Sequence, residues 1–318
     1  MARNILVVGE LAGGQPTSTT LEMLGGAAAL AGGGNVGVVL LGTGASAAAA
    51  SAAGAGTAYT NDDAGYNTFL GEQWLAAIGA AADQASPDLI LIAQSTAGRE
   101  LGPRLAHRRN TAVAMDCTSI ADDGGTIKAT RPAYGGNAVA TYSFATSPAV
   151  ATVRAKSFEE ASGAGPANTV ALPAPGESRV SVTGREKVVA EGLQLQDASI
   201  VVSGGRGLGA SEGFRVMEAM ADAIGKDKTA VGASRAAVDL GWYPPSQQVG
   251  LTGKVVTPDL YFAIAISGAS QHMAGCSGSK VLIAINRDAE ASIFSFAKYG
   301  IVGDFKTVVP AIIEELKK

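Results

Sequence analysis

Short unbroken apolar runs recur along the chain, separated by stretches in which apolar residues return every three or four positions. Ile5–Val8, Val36–Leu41 and Leu89–Ala93 are such runs. They are too short for buried helices, so they predict strands covered on both faces, with helix-like, alanine-rich segments between them. That is the rhythm of a parallel α/β sheet. A Gly-Thr-Gly turn after Leu41 is followed by a predicted alanine-rich helix. Past Pro132 the pattern changes to alternation. "NAVATYSFAT" and "AVATVRAKSF" carry Thr, Tyr, Val and Phe, which predicts a strand-rich end to the first domain, paired antiparallel. "EEASGAGPANTVALPAPGESRV" is rich in Pro, Gly, Ser and Ala and reads as loop rather than core. At "ASIVVSGGRGLG" the strand-turn-helix rhythm restarts. The expected division is an N-terminal α/β domain over 1–190 and a second domain over 198–318. The polar, mixed-charge run "GREKVVAEGLQLQD", residues 184–197, lies between them as a hinge.

Composition narrows the class. The 318 residues are 47% hydrophobic and 16% charged, enough to bury the cores of about two domains. A net charge of −4 with the two signs interspersed gives no electrostatic footprint for nucleic acid and no patch for anionic lipid. No charge occurs between Glu22 and Asp62, but that stretch is mostly Ala, Gly, Ser and Thr. A spanning helix needs about 20 strongly apolar residues without repeated glycine, so no membrane insertion is expected. The first apolar run is too short for a signal-peptide core. Cys117 and Cys276 stand far apart with no metal spacing, against a disulfide framework or a zinc site.

Candidate chemistry begins where the second domain does. "SIVVS" runs into Gly204-Gly205-Arg206-Gly207-Leu208-Gly209, and Phe214, Met217, Ala221 and Ile224 then repeat at helical spacing. Glycines let the backbone turn sharply and approach a ligand, and a helix start offers free N–H groups to a phosphate. The same turn also serves plain strand-to-helix packing. Three more such turns follow: Ser234 and Arg235 in "VGASRAAVD", Thr252 in "QVGLTGK", and Ser267 to His272 in "ISGASQH". In an open parallel sheet the turns at the carboxyl ends lie along one edge and can converge on a single long dinucleotide. No GxSxG, HExxH, P-loop or paired His/Asp spacing competes with this. His107 in "RLAHRRN" lies on a basic helical face and reads as structural.

"VVSGGRGLG", "VGASRAAVD", "QVGLTGKVV", "ISGASQHMAG", "IAINRD" and "YGIVGDF" together resemble the α subunit of electron-transfer flavoprotein, in the family's order and near its spacing. "GRELGPRLAHR", "MDCTSI" and "RPAYGGNAVAT" resemble its N-terminal half. Leu251 stands where the family often has glutamine and Ser270 where it often has isoleucine. The resemblance implies an α/β fold of two domains, an N-terminal parallel-sheet domain with a strand-rich end and a C-terminal Rossmann-like FAD-binding domain. It implies FAD as cofactor and, by position, a set of residues to hold it. Arg206 lies near the flavin or pyrophosphate. Ser234 and the segment Ser267, Gly268, Ala269, Ser270 and Gln271 hold phosphate and ribityl oxygens. Asn286 and Asp304, with Phe305 beside it, hold the adenosine half. Val249, Gly250 and Leu251 form the loop presenting Thr252, whose hydroxyl reaches flavin N5; the alternative is a threonine closing its own turn. Arg235 places positive charge over the ring system, a surface salt bridge being the alternative. His272, at the first turn of a helix, offers an imidazole N–H to the pyrimidine oxygen where negative charge gathers on one-electron reduction.

The implied role is an electron carrier rather than a substrate-converting enzyme. It pairs with a β subunit in a heterodimer, and links flavin dehydrogenases such as the acyl-CoA dehydrogenases of fatty acid oxidation to a quinone reductase. Two alternatives stand beside it: an α subunit of a bifurcating version that oxidises NADH, and a non-redox nucleotide-binding regulatory protein. The expected location is cytoplasmic in a bacterium or archaeon, or the mitochondrial matrix in a eukaryote.

Overall fold

The structure is a computed structural model that describes all residues except 137, 167 and 185–192. It divides into two compact units: Met1–Ala133 with Val139–Arg185, and Tyr134–Ala138 with Glu186–Lys318. Most of the expected hinge, 185–192, lies outside the described residues.

The first unit is built on seven parallel strands. Numbered by their order in the chain, they run 7-3-2-1-4-6-5 across the sheet, with Ile5–Val8 in the middle. The expected strands Ile5–Val8, Val36–Leu41 and Leu89–Ala93 form with those bounds and every residue buried. Successive side chains go to opposite faces. Ile5, Val7, Val38 and Leu40 pack with Met23 and Leu24 of the helix Ser18–Ala31. Leu6, Val8, Val39 and Leu41 pack with Leu75, Ile78, Leu101 and Leu105 from the helices Gly71–Ala85 and Thr96–Arg108.

Three expectations change here. Ala149–Val153, part of the segment read as antiparallel, is a fully buried member of the parallel sheet, set between Leu89–Ala93 and Val113–Cys117. Its alternation of Ala, Val and Thr is small-against-large packing between two covered faces rather than an in-and-out pattern. The antiparallel pairing of Ser119–Asp123 with Thr126–Ala133 lies in a separate three-stranded sheet, whose third strand, Ala138–Ser143, forms in the first of the two stretches read as strand-rich. The Pro/Gly-rich stretch also holds a strand, Asn168–Ala171, on the sheet edge against Thr57–Asn61. The alanine-rich helix after Leu41 is only Ala45–Ala48 followed by a single 3₁₀ turn, Ala49–Ser51.

The second unit holds six parallel strands: Ile200–Gly204, Thr229–Ser234, Gln248–Val249, Leu260–Ile264, Val281–Asn286 and Tyr299–Val302. Their spatial order is 3-2-1-4-5-6, the doubly wound order of dinucleotide-binding sheets. On one face Val202, Phe262, Ile264 and Ile285 meet Phe214, Met217 and Met220 of the helix Gly213–Ile224 and Val309 of the helix Phe305–Leu316. On the other, Val201, Tyr261, Ala263 and Ala284 meet Met273 and Cys276 of the helix Ser270–Cys276. The order reverses between the first and fourth strands, so the chain leaves them in opposite directions and a crevice opens at their carboxyl ends.

Candidate functional site

A cavity of about 820 Å³ occupies that crevice. Its floor is where the first and fourth strands end. The Gly205 amide donates to the Ile264 carbonyl at 2.9 Å and the Gly207 amide to Ala265 at 3.2 Å. This approach is close enough that only glycine fits: a Cβ on Gly205 would meet the Ala265 carbonyl carbon at 2.7 Å and Ile266 Cα at 2.8 Å. Ala265 itself turns through the left-handed region, φ 55°. The glycine run therefore brings two strand ends together and leaves Arg206 standing at the rim, exposed. The following helix begins only at Gly213, after Glu212. Neither Glu212 nor Gly213 lines the cavity, so that helix start does not face the site as expected.

Twelve of the residues expected from the sequence line the cavity: Arg206, Ser234, Arg235, Val249, Gly250, Leu251, Thr252, Ser267, Ala269, Gln271, His272 and Asn286. The structure brings them together from five separate strand ends. Asn286 ties two of those ends, its Nδ2 donating to the Ile266 carbonyl at 2.9 Å while its Oδ1 accepts from the Asp288 amide at 3.1 Å. Thr252 sits on a tight loop in which the Gly253 amide donates to Gly250 at 3.0 Å and the Leu251 amide to Gln271 at 2.7 Å. The Thr252 hydroxyl accepts from Gln248 Nε2 at 3.0 Å, which leaves its own hydrogen to donate elsewhere. Arg235 lines the cavity and also pairs with Asp239 at 3.3 Å, both side chains well exposed.

Four expected residues lie outside the lining. Gly268 makes the turn beneath it, at φ 87°. Ser270 points to Gln271. Asp304 caps the helix Phe305–Leu316, accepting from the Lys306 amide at 2.9 Å, and Phe305 is buried in the core under the sheet. In the other direction, Asp239, Gln248, Arg287 and Asp288 line the cavity without having been singled out. Asp239 was findable as the residue one helical turn after Arg235, and Arg287 and Asp288 as the pair directly following Asn286. Among the described residues, no ion pair engages Arg206 or Arg287.

His272 is 7% exposed and lies, as expected, in the first turn of its helix. Its ring is not freely presented. Nε2 lies 2.9 Å from the hydroxyl of Tyr261, which is wholly buried. Nδ1 is covered and makes no well-formed hydrogen bond, while the ring lies close enough to the Val249 backbone carbonyl for a weak one that favours the charged form. Burial pushes the imidazole down to about 4, only partly opposed by that backbone, so the ring is neutral at pH 7. Burial likewise raises the Tyr261 phenol well above its ordinary value and pushes the Cys276 thiol up to about 12.

A parallel sheet in this order, a long crevice at its switch point, glycines where the backbone comes closest and two unpaired arginines at the rim define a dinucleotide-binding α/β protein. Comparison with known proteins names the kind. The family model described as "Electron transfer flavoprotein domain" matches residues 5–176, and "Electron transfer flavoprotein FAD-binding domain" matches 194–277. The electron transfer flavoprotein subunit alpha of Thermoanaerobacterium thermosaccharolyticum is 38% identical over 99% of this chain and 98% of its own length. That of Bacillus subtilis is 36% identical over 100% and 98%, and that of Paracoccus denitrificans 43% identical over 80% of each. The chain belongs to the electron transfer flavoprotein α-subunit family, and its cofactor is FAD. The cavity fits that group. Donor-rich arginines suit a pyrophosphate, and the orphaned Nδ1 of His272 is a buried polar atom in a residue that lines the cavity. No helix among the described residues is long and apolar enough to cross a membrane.

Proposed function

We propose that this chain is the FAD-holding subunit of a heterodimeric electron carrier, completed by a β subunit. It takes electrons from flavin dehydrogenases such as acyl-CoA dehydrogenases and passes them to a quinone reductase. The observation that carries this reading is the convergence of twelve separately predicted residues on one crevice at the switch point of the second sheet. Bound FAD supplies an isoalloxazine ring that accepts and releases electrons one at a time. The chain's own residues bind and orient it. Arg206 and Arg287 bring permanent charge and fixed donors to the phosphates. Ser234 and Ser267 would offer hydroxyls to oxygens along the connecting chain, and Asn286, whose Nδ2 keeps a second hydrogen beyond the one given to Ile266, would hold the adenosine end. Thr252, its oxygen already bonded by Gln248, would have its hydrogen free to donate to a ring nitrogen of the flavin. Arg235 lines the cavity and would leave Asp239 for the flavin at small cost, because an exposed pair of this kind is worth less than about 1 kcal/mol.

The compartment we propose is the bacterial or archaeal cytoplasm, where both cysteines, buried and free, stay reduced. The test is co-purification with the β subunit. The complex should be yellow with one FAD in this chain, and should be reduced by an acyl-CoA dehydrogenase with its substrate. A complex that holds FAD but accepts no electrons from such a dehydrogenase, while NADH reduces it directly, would overturn the donor assignment.

A further inference from the structure

The buried partner of His272 is the part of this site that neither the family descriptions nor the sequence motifs assign. Tyr261 is the second residue of the fourth strand, 0% exposed, its side chain on the face covered by the helix that carries His272. The two rings are tilted at 57° with their centroids 6.1 Å apart, and the phenol oxygen meets Nε2 at 2.9 Å. A buried phenol keeps its hydrogen and has to place it on an acceptor; Ser203 and Cys276 also lie within its reach, and of the three the imidazole nitrogen at 2.9 Å is the strongest acceptor. A neutral imidazole has one nitrogen that accepts and one that donates. If the phenol donates to Nε2, the ring hydrogen is on Nδ1, the nitrogen left without a well-formed hydrogen bond in the protein.

We propose that Tyr261 is a positioning residue: its hydroxyl donates to Nε2 of His272 and so holds the imidazole proton on Nδ1, making that nitrogen the donor offered to an acceptor oxygen of the bound flavin. The proposal rests on the reading of the cavity as the FAD site and adds to it a device for choosing the tautomer. Such a choice matters because the opposite tautomer would point a lone pair, not a hydrogen, at an oxygen that gains negative charge. Tyr261 touches no ligand itself. It acts through the ring, from the core, where strand and helix packing fix both partners.

The chain has only two histidines, His107 and His272, so ring-nitrogen NMR of the full chain labelled with 15N at histidine reads the tautomer directly, with His272→Gln assigning the signals. At neutral pH the expected result is a protonated Nδ1 and an unprotonated Nε2 for His272. Tyr261→Phe should shift the tautomer ratio by about tenfold, the worth of one buried hydrogen bond, and leave His107 unchanged. Adding FAD to the wild-type chain should move the Nδ1 signal. A wild-type ring protonated on Nε2 overturns the proposal without any variant, so a Tyr261→Phe chain that fails to fold does not shelter it. An unaltered tautomer ratio in a folded Tyr261→Phe chain overturns it as well. If FAD binds, by its visible spectrum, and Nδ1 does not respond, the donor role fails while the cavity remains the FAD site. If FAD does not bind at all, the site reading fails, whichever tautomer is found.

Discussion

Replacing Gly205 with alanine should damage the site through space alone. The residue sits at φ −103°, ψ 177°, extended backbone that any residue adopts, so alanine incurs no conformational penalty there. Its added carbon would come within 2.7 Å of the Ala265 carbonyl carbon and 2.8 Å of Ile266 Cα, where ordinary contact begins at 3.4 Å. Both obstacles are backbone, so no side chain can swing aside. The first and fourth strands have to part where they end. Overpacking of this kind costs about 1–3 kcal/mol. Opening the hydrogen bond from the Gly205 amide to the Ile264 carbonyl adds about 1 kcal/mol more, out of a total stability of about 5–15 kcal/mol. Because Arg206 and Gly207 are carried on the displaced segment, FAD affinity should fall by about tenfold or more. Gly209→Ala is the control. That residue has φ 85° and nothing within 4 Å of an added carbon, so it should lose about 1–2 kcal/mol from backbone strain and keep its FAD affinity. Urea unfolding followed by flavin fluorescence titration separates the two. If Gly205→Ala matched wild type in both stability and FAD affinity, the close strand crossing would not be what shapes the cavity.

Gly275→Ala acts on the opposite wall: its added carbon would meet Gly250 Cα at 2.5 Å, pushing away the loop that bears Thr252. A loss of about 1–3 kcal/mol in unfolding free energy, with weaker FAD binding, is expected, and unchanged binding would free Thr252 from the site. Arg235→Ala removes only an exposed pair with Asp239, so stability should change by less than about 0.5 kcal/mol. FAD affinity should nonetheless drop about ten- to a hundredfold if a charge-assisted contact is lost; an equal Kd by titration would reduce Arg235 to its surface salt bridge. For His272 the folded value, about 4, lies below the ordinary 6.5. Between those values the unfolded chain binds a proton that the native ring refuses, so the full contribution is present above pH 6.5 and drains away as pH falls to 4. The loss is on the order of 3 kcal/mol at most. His272→Gln should lack that part of the slope in urea melts at pH 7 and 4.5, and matching slopes would place the ring in contact with water.

Strands buried on both faces were legible because an unbroken apolar run of five or six residues has few other uses. Leu89–Ala93 and Val36–Leu41 formed as read for that reason. Asn168–Ala171 was not legible: an edge strand pairs on one side only and needs no apolar run, so Pro and Gly around it hid it. Ala149–Val153 misled because small alternating residues fit a crowded central strand as well as an exposed one. In the site, glycine-flanked turns announced themselves by composition, and His272 and Thr252 by their place beside such turns. Asp304 and Phe305 were carried by resemblance alone, and their local chemistry, a helix cap and a core ring, answers to the helix that begins there. The Tyr261 contact had no local signal at all. It joins a strand residue to a helix residue eleven positions on, and only the packing of that helix on the sheet brings the phenol to the imidazole.

If this chain, with a β subunit, holds FAD in the crevice of its second sheet and passes electrons through it, the flavin has to be reducible in place. Stepwise anaerobic reduction of the purified complex, followed by visible absorption against a series of redox dyes, tests this most directly. One bound flavin in this chain should take up its two electrons in separable steps, with the first potential falling in His272→Ala by roughly 60 mV or more, the equivalent of about a tenfold loss for a one-electron couple. A colourless complex, or a flavin whose potentials ignore His272, would contradict it.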